Sequence, residues 1–316
     1  MLSQLKQGHW PIFLLSSMST VANLFLPIFL VRLLSPEDMG LYKIFFLYLS
    51  TLPFLFMTGG PLNSVYYWVG KPENERMDYL KSSWVLTLIL SALIVAIGAP
   101  LAYAYTDTFQ LSFEQIIILL IAGFLWCPSS FYMETTIAMG KTAKGSWFDA
   151  IYEFLKVGIF LFIAWKFKSL MGLFIAFTGI HLIKFIHGLH LGIKQRIISF
   201  SVSRDQMRQV LKYCLPVSLT ASLGFVVDKV DLLILSNQLS ILDFAFYSLG
   251  CLLIPPLILL EMSVQKILIP ELSKCYEDKN WTGASKAYQK AIADISFLMI
   301  PSVFGLFFFA LSAYAA

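Results

Sequence analysis

Apolar residues along this chain fall in long blocks rather than in the narrow stripe of a soluble amphipathic helix. Nine blocks are long enough to cross a bilayer: residues 10–31, 42–66, 84–103, 116–139, 147–165, 170–191, 215–235, 242–267 and 292–313. A spanning helix needs about 20 mostly apolar residues, because its rise of about 1.5 Å per residue must cover about 30 Å of hydrocarbon. The first block is too long for the apolar part of a signal peptide and no A-x-A cleavage pattern follows it, so it reads as a retained span. Six of the seven Trp lie near block ends, where amphipathic rings favour the headgroup level; Trp126 is the exception. The pattern predicts an all-α, polytopic membrane bundle with nine spans.

Composition supports that class. The chain is 58% apolar and 13% charged. A soluble domain has about 45–50% and about 25%. The net charge of +4 does not point to nucleic acid, because in a membrane protein the placement of basic residues matters more than their sum. With the N-terminus in the cytoplasm, sixteen Lys and Arg fall on the cytoplasmic side, including Lys266, against four on the other (Arg32, Lys43, Lys166, Lys168). This asymmetry predicts a cytoplasmic N-terminus in a plasma membrane. Cys127, Cys214, Cys251 and Cys275 form no CxxC pair and read as small apolar fillers, with no metal site and no cofactor.

Residues 192–213 form a long basic connection. It separates a six-span segment, 1–191, from a partial second lobe of three spans, 214–316. Ser203 with Gln206 resembles a capping box, and Met207, Val210 and Leu211 share a face, so a short amphipathic helix is expected there. It lies on anionic headgroups or serves as a solvated linker.

Ionisable groups inside spans are expensive and face a cavity or a partner. Asp149, Glu153 and Lys156 open the fifth span at spacings of four and three, which places them on one helix face. They form either a self-neutralised pair or a polar stripe along a cavity. In the sixth span, Lys184 sits among His181, His187 and His190, which spread too widely for a three-His metal site. It either snorkels to the interface or presents a cation inside the bundle. In the seventh span, Asp228 and Asp231 share a face with Ala221 and Gly224, while Lys229 points elsewhere and needs a partner such as Glu134, Glu261 or a ligand anion. Asn23, with Ser16, Ser17, Ser19 and Thr20, makes part of the first span polar. Pro53, Gly59-Gly60-Pro61, Pro128 and Pro255-Pro256 break spans at places that line cavities or act as hinges. No P-loop, GxSxG, HExxH or Asp-rich motif is present and the outward loops are short, which disfavours an enzyme such as a glycan polymerase or ligase.

After the first span comes Arg32-Leu-Leu-Ser-Pro-Glu-Asp-Met-Gly-Leu-Tyr42. It resembles the R-x-L-x-P-E-x-x-G-x-Y stretch of polysaccharide-biosynthesis membrane proteins, the lipid-linked oligosaccharide flippases of the multidrug/oligosaccharidyl-lipid/polysaccharide (MOP) exporter superfamily. Leu215-Pro216 followed by Asp231 and Tyr247 is similar to a second stretch of that family, with Ala245 where Gly is frequent. Ile269-Pro270-Glu-Leu-Ser273, with Pro301 and Gly305 later, is similar to a third. Together these cover essentially the whole chain. The resemblance implies two six-span lobes around a central cavity and alternating access. It also implies an undecaprenyl-pyrophosphate-linked glycan as cargo. Members have 12 to 14 spans, so nine spans predict a half-built second lobe, as in a fragment or a short form.

Under this resemblance a pyrophosphate needs cations, and Lys156, Lys184, Lys229 and the amide of Asn23 are the cavity candidates. Glu153, Asp228, Asp231 and Glu261 are candidates for coupling-ion binding or charge balance. The competing readings are a drug/cation antiporter of the same superfamily and a non-transporting membrane component that works with other polysaccharide assembly proteins. The partners expected are the lipid bilayer and the glycan carrier.

Overall fold

The computed structural model describes residues 10–104, 110–200, 202–250 and 255–314. Among the described residues the fold is all helical. In chain order the helices are α1 (Trp10–Leu33), α2 (Pro36–Leu55), α3 (Gly59–Trp68), α4 (Glu73–Ala104), α5 (Phe113–Ala138), α6 (Thr142–Lys166), α7 (Leu170–Lys194), α8 (Arg204–Gln238), α9 (Ile241–Gly250), α10 (Pro255–Glu277) and α11 (Trp281–Tyr314). Four stretches are long and apolar enough alone to cross a membrane: Glu75–Leu101, Phe113–Ala138, Leu170–Lys194 and Arg204–Gln238. The bent pair α2 and α3 makes a fifth. Helix α6 misses that standard because Asp149, Glu153 and Lys156 interrupt its apolar run.

The first motif is the start of α2. Ser35 caps the helix by accepting the Asp38 amide at 3.1 Å, Pro36 needs no amide donor in the first turn, and Glu37 and Asp38 face the positive end of the helix dipole. Gly40 is required for packing: a side chain there would run into the carbonyl oxygen of Ile241 at the start of α9.

The expected break in the second span lies between α2 and α3, which meet at 56°. Pro53 removes an amide donor, and Met57 takes a left-handed φ of 55°. Irregular backbone at membrane depth is tolerated where protein covers its polar groups. Helix α8 does so: Ser222 donates to the Phe54 carbonyl at 2.7 Å, Ser218 donates to that of Met57 at 3.5 Å, and Phe225 stacks on Phe54 at 4.2 Å. The eighth block holds α9 and α10, and residues 251–254 between them lie outside the described residues.

Two large apolar clusters form the core. One surrounds Trp84, Phe131 and Tyr132 and takes in Val210 and Cys214 of α8. The other surrounds Phe45, Phe160 and Phe174 and takes in Phe244 of α9. Helices α10 and α11 share a small third cluster at Val264 and Ala291. The connector differs from its expectation. Ser203 stands at the N-cap without a side-chain capping bond, and the helix begun at Arg204 continues through Pro216 to Gln238 as one element. Val210 and Cys214 bury one face of its first turns and hold them in line with the span.

Candidate functional site

A band of paired charges lies among α1, α3, α5, α6, α7 and α10. On α6 the spacing of 149, 153 and 156 turns all three groups toward one side, as the sequence predicts. Lys156 Nζ donates to Glu153 at 2.6 Å, and Asn23 of α1 donates to the same carboxylate oxygen at 3.0 Å while also holding the Ser19 carbonyl at 2.8 Å. One turn earlier, Asp149 accepts Lys184 of α7 at 2.6 Å. Lys184 is 4% exposed, so it neither snorkels to the interface nor stands as an open cation. Further along, Glu134 of α5 is shared by Lys266 of α10 at 2.8 Å and the Tyr66 hydroxyl of α3.

Three carboxylates therefore meet three ammonium groups, and the band is electrically balanced. Asp149 and Lys266 both line a cavity of about 20 Å³ together with Ser19 and Ser146. That is room for about one water, and the buried Ser146 hydroxyl has no protein partner. Beside the band, Tyr152 and His187 share a hydrogen bond of 2.8 Å, and His181 donates to the Phe177 carbonyl at 3.0 Å. His181 and His187 thus have partners of their own, and the His residues do not converge on a metal site. No group of three or more metal-binding side chains is present among the described residues.

Lys266 and Tyr66 are the members that sequence reasoning missed. Lys266 lies near the end of an apolar block and reads as a loop charge, yet it turns inward to Glu134. Its only sequence signal is its place inside the eighth apolar block, 242–267, rather than after it. The pairing of Glu134 with Lys266 also removes Glu134 as the partner foreseen for Lys229.

The α8 candidates lie apart from this band. Asp228 and Asp231 are exposed and Lys229 is half-buried. Asp231 accepts a hydrogen bond from Tyr247 at 2.8 Å, joining two residues of the second motif. Lys229 makes no ion pair among the described residues. Glu261 lies in α10, but its side chain falls outside the described residues.

The third motif is also a contact. Gly70, between α3 and α4, lies so close to Ser273 of α10 that an added Cβ would stand 2.8 Å from the serine's own. Next to it Lys71 pairs with Glu277, whose hydrogen bond holds the lysine above its ordinary pKa. The first and third motifs therefore mark places where α9 and α10 meet α2 and the turn between α3 and α4.

Residues 29–313 match the family described as Polysaccharide biosynthesis protein. No curated protein matches the chain. Among solved structures, the chain is similar to a MATE in the straight conformation, with a TM-score of 0.71 and 16% identity over 99% of this chain and 76% of that one. A MATE in the bent conformation gives 0.64 and 16% over 93% and 69%. A MOP superfamily transporter from Pyrococcus furiosus, whose reverse binding-pocket polarity suggests a different function for that protein, gives 0.70 and 17% over 95% and 72%. At such identities the likeness establishes the fold, an all-helical MOP-type membrane architecture. Matched over nearly its whole length and carrying motifs that fold into helix starts and helix contacts, this multi-pass membrane chain belongs to the polysaccharide biosynthesis protein family.

Proposed function

We propose that the chain is a transporter that moves a lipid-linked saccharide across the bacterial inner membrane by alternating access, with an undecaprenyl-pyrophosphate-linked glycan as cargo. Membership of the polysaccharide biosynthesis family is the observation that carries this reading. In it, α1 to α7 act as one lobe and α8 to α11 begin the second, with the N-terminus in the cytoplasm. The balanced charge band lends no support to a net-acidic cavity for cationic drugs. Lys156 and Lys184 already have carboxylate partners at 2.6 Å, so their role is charge balance rather than anion capture. Lys229 has no such partner among the described residues, which makes it the cation for the pyrophosphate.

The test is Lys229→Gln in a cell dependent on this chain for glycan export. Normal membrane levels with export reduced on the order of tenfold are expected, since a hydrogen bond to a charged group contributes about 1.5–3 kcal/mol. Lys229→Arg should keep part of the activity. Undiminished export by Lys229→Gln would remove the role assigned to this lysine. Glycan-independent drug efflux would favour the antiporter instead.

A further inference from the structure

Between α4 and α8, beside the end of α2, lies an apolar crevice of about 220 Å³. Leu55, Leu86, Leu90, Leu93, Leu211 and Leu215 line most of it. It opens outward, because Leu55, Leu93, Leu211 and Leu215 are exposed at its rim. An apolar cavity of about 150 Å³ stays dry and takes up hydrocarbon, and in a membrane protein the hydrocarbon beside an open crevice is a lipid chain.

The charges at one end say which lipid. Helices α4 and α8 run side by side in the same direction, tied near their starts by the Tyr79 hydroxyl donating to Gln209 at 2.6 Å. From that tie the crevice leads into the apolar middle of both helices. Arg208 precedes Leu211 by three residues and Leu215 by seven, so it stands on the crevice's stripe of α8, about one turn nearer the charged end. Lys212 flanks it one turn on. Both are exposed and neither makes an ion pair among the described residues. Two unpaired cations followed by an apolar slot along the helix axis reproduce the order of an anionic headgroup followed by its acyl chain.

We propose that this crevice binds one anionic phospholipid, with an acyl chain among the leucines of α4 and α8 and its phosphate at Arg208 and Lys212. The site is separate from the charge band and from Lys229, so it does not depend on the cargo assigned above. The bound lipid fills the side of the seam that α8 makes with α4 and covers the α2–α3 break next to Leu55.

Native mass spectrometry of the purified whole chain in detergent tests this, with phosphatidylglycerol and phosphatidylcholine of matched acyl chains. The wild-type chain should retain phosphatidylglycerol in preference. Arg208→Gln should weaken phosphatidylglycerol retention by about fivefold, the equivalent of about 1 kcal/mol per basic residue near anionic lipid, and leave phosphatidylcholine unchanged. Leu90→Trp should lower retention of both lipids by filling the slot. If that variant fails to fold, Leu93→Trp at the rim serves the same purpose. Equal retention of the two lipids, an unaltered Arg208→Gln, or displacement of phosphatidylglycerol by polyprenyl phosphate would each overturn the proposal.

Discussion

Helices α6 and α8 each carry two acids and one lysine within a short stretch, and the fold treats the two sets in opposite ways. On α6, Asp149, Glu153 and Lys156 repeat at helical spacing. Neighbouring helices supply Asn23 and Lys184 at hydrogen-bond distance. On α8, Asp228, Lys229 and Asp231 are crowded into four positions, with the two acids on one face and Lys229 about a quarter-turn away. Helix α8 spends its packing face earlier, at Ser218, Ser222 and Phe225, on closing the break between α2 and α3. Its charges are left outside the packed core, with Tyr247 as the hydrogen-bond partner of Asp231. An acid in an apolar helix therefore becomes interior structure when two conditions meet: its spacing keeps it on one face, and another helix brings the complementary group. The second condition separates α6 from α8.

The largest expected effect comes from opening an interior pair. Asp149→Asn leaves the Lys184 ammonium buried without its counter-charge, which costs about 3–5 kcal/mol. The variant should unfold at a clearly lower temperature in detergent, whereas Asp228→Asn should leave the transition in place. Equal shifts for the two would erase the contrast between α6 and α8.

Packing at the motif glycine comes next. Gly40→Ala drives a methyl group against the Ile241 carbonyl and should cost about 1–3 kcal/mol. Gly224→Ala on α8 meets nothing within 4 Å and should be neutral or stabilising, because glycine in a helix interior is about 1 kcal/mol worse than alanine. Thermal melts of the two variants side by side give the comparison, and a destabilising Gly224→Ala would show that this face of α8 is packed after all.

The smallest effect is expected at the Lys71–Glu277 pair outside the spans. Glu277→Gln should cost about 0.2–1 kcal/mol, as partly exposed pairs do, and that loss should shrink as salt is added. A salt-independent loss would mean that the contact between the α3–α4 turn and α10 depends on more than charge.

Much of the architecture was legible because it depends on near neighbours in sequence. The apolar blocks announce α1, α4, α5, α7 and α8, and Pro53 with Gly59-Gly60-Pro61 announces the bend between α2 and α3. The pair Glu153–Lys156 was legible for the same reason, being three positions apart on one helix. Lys184 was not, since its two sequence readings were an interfacial or an open cation and its partner lies 35 positions away. Lys266 reads as a loop charge because Glu134, the group that draws it inward, lies 132 positions earlier. The connector reads as a separate helix because its polar pattern stops where the next span begins, although the backbone continues through Pro216 as one helix.

The sequence by itself determined that the chain is a helical membrane protein, where most of its apolar helices lie, where α2 and α3 bend, and which stretches carry the family's motifs. These follow from hydropathy, helix period and the backbone limits of proline and glycine, all of which act within a few residues. Only the tertiary structure decided which lysines are neutralised, which face of α8 is spent on the α2–α3 break, and that α4 and α8 leave an apolar crevice below two basic residues without an ion pair among the described residues. Those outcomes depend on how each helix is rotated and which helix stands beside it. Rotation and neighbours are set by contacts between residues tens to hundreds of positions apart, which no local pattern encodes.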